Sequence, residues 1–135
     1  MANGFQPETL LEDNNVLLVK SFEFGLRIVK MYQWLMEKHR IYSLADQILR
    51  SGTSIGANAE EAVGGYSMKD FAAKIGNSYK EARETRYWLR LLYGSGYIER
   101  PMFDSMLADC EKLLRILGSI KKTTQHKIRM ETEKR

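Results

Sequence analysis

An all-α fold, an up-down-up-down antiparallel four-helix bundle, is predicted by three features of the sequence. Apolar residues recur at spacings of three and four through four long segments, no stretch alternates with period two, and the connections are short. Only two prolines occur, Pro7 and Pro101, and both stand outside the long periodic segments, whose interiors are therefore free to be helical. At 135 residues and 15.7 kDa the chain is one domain, long enough to bury a core without staples.

Residues 1–15, MANGFQPETLLEDNN, are polar and aperiodic and are read as a flexible N-terminal arm, with Phe5, Leu10 and Leu11 available to dock on the body. The bundle is assigned to residues 16–121. Its first helix is expected from Val16 to His39, because Val19, Phe22, Leu26, Val29 and Met36 keep the apolar spacing with Gln33 as the single interruption. Ser43 and Asp46 then resemble a capping box at the start of a second helix.

That second helix carries the stretch around which the chain is organised, SGTSIGANAEEA from Ser51 to Ala62. Leu44, Ile48, Gly52, Ile55, Ala59 and Ala62 share one face, flanked by Ser51, Ser54 and Gly56. Glycine inside a helix costs about 1 kcal/mol relative to alanine, so propensity argues against a helix here. Small side chains compensate by admitting a neighbouring helix closer than the usual spacing of about 8–10 Å. Gly64-Gly65 ends the helix, where a left-handed cap costs nothing.

Ser67 with Asp70 repeats the start signal for a third helix. Phe71, Ile75, Ser78, Ala82, Thr85, Leu89 and Leu92 form its unbroken stripe, and Gly94-Ser95-Gly96 ends it. Glu99, Pro101 and Asp104 mark the next helix start, followed by Phe103, Met106, Cys110, Leu113, Leu117 and Ile120 at helical spacing. Residues 122–135 lose that periodicity and are read as a basic C-terminal extension.

The charge is unevenly spread. Eight of the 21 basic residues and two of the 17 acidic ones lie from Lys112 onward, so this end holds +6 while residues 1–111 hold −2. A polyanion would meet this end first, and Lys112, Arg115, Lys121, Lys122, Lys127 and Arg129 are the candidate nucleic-acid contacts. The one cysteine, Cys110, lies on the apolar stripe of the fourth helix and is read as a buried structural thiol, which fits a reducing compartment. No apolar run approaches the roughly 18 residues of a membrane span, and the N-terminus lacks the features of a secretory signal. A cytoplasmic protein with no membrane partner is expected.

Catalytic and metal-binding patterns are sparse. His39 and His126 are the only histidines, and neither has a carboxylate or second histidine at a spacing that would make a metal pair. The carboxylates Glu60, Glu61, Glu81 and Glu84 are expected to form ion pairs with Lys74, Lys80 and Arg83 at helix seams. Trp34 and Trp88 fall among charged residues at helical spacing, and large aromatics on a polar face mark a contact surface, so both are candidate oligomer contacts. No catalytic residue, metal or cofactor is expected.

The pattern S-L-x-x-Q-I-L-R-S-x-x-S-I-x-A-N-A-x-E from Ser43 to Glu61, followed by S-x-x-E from Ser78 to Glu81, resembles the four-helix bundle proteins of 23S rRNA intervening sequences. The accessory variability proteins of diversity-generating retroelements share that fold. The resemblance spans Ser21 to Ile98 and rests on Arg50, Ser54, Asn58, Glu61, Ser78 and Glu81. Two departures stand out: Asn58-Ala59-Glu60-Glu61-Ala62 replaces the common N-I-A-E-G, and Asn77 replaces a glycine. The resemblance implies a homopentamer without known enzymatic activity, associated with RNA or with a nucleic-acid enzyme such as a reverse transcriptase. Three readings result: a non-enzymatic homo-oligomeric scaffold, a nucleic-acid-binding accessory acting through the basic C-terminal end, and a metal-dependent bundle enzyme. The first is preferred.

Overall fold

The computed structural model describes residues 11–134, with side chains from Val16 onward. Four helices make up the fold: α1 (Leu11–Lys38), α2 (Tyr42–Val63), α3 (Met68–Gly94) and α4 (Arg100–Glu133). Their side-chain pairings run in opposite directions along each adjacent pair. Tyr32 reaches Asp46 while Gly52 lies against Ile28; Ser51 meets Thr85 while Glu61 meets Lys74; Tyr93 stacks on Phe103 while Lys121 covers Tyr79. Each helix is thus antiparallel to the one before it. Helix α4 closes the ring on α1 through Arg27, which bonds Asp109 at 2.5 Å and Ser105 at 2.9 Å.

The core stripes of α3 and α4 fall where the periodicity puts them. All seven α3 positions from Phe71 to Leu92 are buried, as are Met106, Cys110, Leu113, Leu117 and Ile120 of α4. Helix α4 continues past Lys121 to Glu133, and Thr124 is fully buried with its hydroxyl donating to the Ile120 carbonyl at 2.7 Å. The proposed extension is therefore helical. On α2 the small-residue face is buried as expected from Ile48 to Ala62, while Ala45 takes the innermost position and Leu44 packs at the margin.

Helix α1 departs from expectation in two ways. It begins at Leu11, so residues 11–15 of the expected arm are helical, whereas residues 1–10 lie outside the described residues. More consequentially, its core face is Leu17, Ser21, Phe24, Ile28, Met31 and Leu35. Val19, Phe22, Leu26 and Val29 are exposed, Phe22 at 65%. The helix carries two apolar stripes on nearly opposite faces, and spacing alone cannot say which one meets the bundle.

Helix ends were only partly anticipated. Ser67 accepts from the Asp70 N–H at 3.1 Å, as the capping signal requires. Helix α2 instead starts at Tyr42 behind Ile41 with no side-chain cap, and Asp46 accepts from the Tyr32 hydroxyl at 3.2 Å. Gly64 caps α2 at φ −83°, not in the left-handed region. Gly65 is needed for space, since a Cβ there would sit 2.9 Å from Asp70 Oδ2 and 3.1 Å from the Ala62 carbonyl oxygen. Gly96 at φ 82° and Arg40 at φ 55° supply the left-handed positions after α3 and α1.

The seam between α1 and α2 depends on Gly52. A Cβ at this position would lie 2.7–2.9 Å from three carbons of Ile28, so the branched side chain occupies the volume glycine leaves. Replacing Gly52 by leucine is expected to cost about 1–3 kcal/mol despite leucine's better helix propensity. Gly76→Ala, whose new methyl meets nothing within 4 Å, is expected to stabilise by about 0.5–1 kcal/mol. Urea unfolding of both variants checks the contrast, and a neutral Gly52→Leu would place that glycine away from the seam.

Cys110 is fully buried and its thiol donates to the Ala82 carbonyl at 3.3 Å. Burial, with Glu111 adding to it, pushes the thiol pKa up to about 12 from 9.0. An unfolded chain ionises at the lower value, so this contribution to stability is complete below pH 9 and is lost as pH rises toward 12. Cys110→Ala should therefore lose stability less steeply than wild type across that window, as read by urea midpoints, and equal slopes would show that the thiol titrates freely.

Candidate functional site

The residues that carry the sequence resemblance converge on the seam between α2 and α3. Ser78 donates to the Ile55 carbonyl at 2.7 Å, and Thr85 Oγ1 lies 2.9 Å from Ser51 Oγ and 2.8 Å from the Glu81 carbonyl. The two bonds that cross between the helices are buried. Outside them, Arg50 pairs with Glu84 and reaches Glu81 at 3.7 Å, while Trp88 Nε1 donates to Glu84 at 3.0 Å. Ser54 and Asn58 bond carbonyls of their own helix, at 2.6 and 2.9 Å. Glu61 meets Lys74 at 2.9 Å and holds its ammonium above the usual lysine range, chiefly through the hydrogen bond.

Three of the four carboxylates, Glu61, Glu81 and Glu84, are thus paired within the seam. Asn58, Asn77, Lys80, Glu81 and Glu84 line a shallow depression of about 360 Å³, but Arg50 and Trp88 already occupy the carboxylate of Glu84. Lys74 pairs as expected and Arg50 takes the part assigned to Arg83, whereas Glu60 and Lys80 form no ion pair among the described residues. Among the described residues no group of histidine, cysteine and carboxylate side chains is placed to hold a metal ion. His39 lies edge-on to Trp34 and Tyr97, with ring centres 5.4 and 5.2 Å apart.

Both tryptophans pack against the core margin of their own chain. Trp34 carries Lys38 Nζ at 5.9 Å from its ring centre, and Trp88 stands edge-on to Tyr87 at 5.0 Å. The open apolar surface lies elsewhere. Phe22, Gly25, Leu26 and Val29 of α1 with Thr53, Gly56 and Ala57 of α2 form a groove of about 330 Å³, almost wholly apolar, with Glu60 at its edge. Sequence reasoning missed this site, although the second apolar stripe on α1 signalled it.

The six candidate nucleic-acid contacts all lie on α4. Arg115, Lys122 and Arg129 are seven residues apart and share one exposed face, with Lys112 one turn before Arg115 at its margin, while Lys127 falls on another side of the helix. Lys121 turns toward α3 and covers the Tyr79 ring at 5.1 Å. There it joins a basic cluster that the sequence had not singled out: Tyr79, Arg83, Arg86, Tyr87 and Arg90, with Leu114, line one depression, and Tyr79, Lys121, Lys122 and Gln125 line the next. No helix among the described residues is long and apolar enough to cross a membrane.

The buried and solvated halves of the motif seam should differ in energetic weight. Arg50 is 54% exposed, so a double-mutant cycle of Arg50→Met and Glu84→Gln is expected to give a coupling below about 1 kcal/mol. Ser78→Ala, which removes a buried bond, should cost about 1 kcal/mol by itself. A coupling above about 2 kcal/mol, measured by denaturation, would contradict a solvated brace.

Comparison with known proteins agrees with this architecture. The 23S rRNA-intervening sequence protein family matches residues 13–119. A crystal structure of a protein of unknown function from the S23 ribosomal protein family, from Bacteroides thetaiotaomicron VPI-5482, is 44% identical in sequence. It superposes with a TM-score of 0.80 over 82% of this chain and 98% of that one. A search of curated proteins finds no match. Both the family and the solved neighbour are of unknown function. On the extent of the sequence match and of the shared fold, the chain belongs to the family of 23S rRNA-intervening sequence proteins.

Proposed function

We propose that the protein is a non-enzymatic, homo-oligomeric helical scaffold of the cytoplasm. The observation that carries this reading is the outward stripe of α1. A helix apolar on both faces belongs in an interior, and a single bundle covers only one of them. Val16, Val19, Phe22, Leu26 and Val29 are 38–65% exposed and lie along one side of the molecule, with the α1–α2 groove beside them. Contiguous apolar surface of this kind marks a contact site, and a second copy supplies the same surface at the same concentration. The paired carboxylates of the α2–α3 seam support a structural role over a catalytic one.

Sedimentation equilibrium at micromolar concentration is expected to give a mass near five times 15.7 kDa, the pentamer implied by the resemblance. Phe22→Asp with Leu26→Asp should yield a folded monomer, while Trp34→Ala should leave the assembly intact. A monomeric wild type would overturn the scaffold. A dimer or tetramer would retain it and reject the pentamer.

A further inference from the structure

The strongly charged surface that a scaffold leaves unused is the α3–α4 groove. We propose that this groove binds single-stranded nucleic acid, with cations on the phosphates and Tyr87 beneath a base. Arg83, Arg86 and Arg90 recur at spacings of three and four, so they stand one helical turn apart, about 5–6 Å, along one side of α3 and line the same depression. Lys121 and Lys122 prolong that row on α4, and the shared Tyr79 joins depressions of about 310 and 570 Å³ into one track.

Sequence charge conceals this surface because α3 segregates its ions. Glu81 and Glu84 face α2 and are taken by Arg50, whereas the arginines face α4. No acidic residue lines the two depressions, and Glu111 of α4 meets Arg86 at 3.3 Å beside them. Arg83 and Arg90 make no ion pair among the described residues. Arginine suits phosphate through its planar, forked set of donors.

The tyrosines separate a single strand from other polyanions. Tyr79 is covered by Lys121, but Tyr87 is 52% exposed and meets Trp88 in a T-shaped contact, so that about half of its surface is accessible to a base. A base reaches that face only when it is free of a duplex stack. An acidic peptide would use the arginines and gain nothing from the ring.

Fluorescence anisotropy of the full chain with a labelled, mixed-sequence RNA strand of about 12 nucleotides tests the proposal. Binding at about 50 mM salt is expected, with affinity falling steeply as salt rises. Arg83→Glu with Arg90→Glu should weaken it at least about tenfold, and Tyr87→Ala about tenfold with an unchanged salt slope. Lys112→Glu with Lys127→Glu should change it by less than about threefold, since those side chains lie off the track. Sedimentation of each variant as wild type would show that the loss belongs to the groove and is independent of assembly through α1. Absence of wild-type binding, wild-type affinity in the Arg83/Arg90 or Tyr87 variant, or equal competition by duplex RNA or polyglutamate would each overturn it.

Discussion

The close approach of α2 to its neighbours is the constraint on which the other features rest. Gly52 yields its side-chain volume to Ile28 of α1, while Ser51 and the Ile55 carbonyl receive Thr85 and Ser78 of α3. Two mediocre helix formers and a glycine are tolerated because each empty or polar position is filled from the opposite helix. Among the described residues, depressions open to a partner lie in the outer grooves between helices.

Those grooves are chemically distinct. Between α1 and α2 the walls are apolar and small, between α2 and α3 they are ion-paired, and between α3 and α4 they are basic and aromatic. Helix α3 accounts for much of this division by sending carboxylates to one side and arginines to the other. A scaffold has use for such separation, because a surface that joins copies cannot also receive a ligand.

Much of this architecture was legible in the sequence, and what escaped did so for physical reasons. The α3 stripe from Phe71 to Leu92 and the Ser67 cap were readable because only one face of α3 is apolar and a hydroxyl sits where the cap requires it. Helix α1 was misread because Val19, Phe22, Leu26 and Val29 have as good a helical period as Leu17, Phe24, Ile28 and Leu35. Periodicity reports a stripe and is silent on what covers it. The small-residue stretch announced the α2 packing, but the residue entering the space, Ile28, lies 24 positions away and only the fold identifies it. Net charge likewise averages over a helix whose opposite sides face different neighbours, so the arginine row disappeared into a body of −2.

The central claim is that the outer face of α1 is an interior surface in solution, covered by a second copy of the chain. A photoreactive phenylalanine analogue at Leu26, activated in the purified full-length protein at micromolar concentration, tests it directly. The account predicts adducts at twice the chain mass of 15.7 kDa, and none from the same group at Lys112 on α4. Efficient activation at Leu26 with only single-chain product would show that this stripe faces water, and would contradict the account.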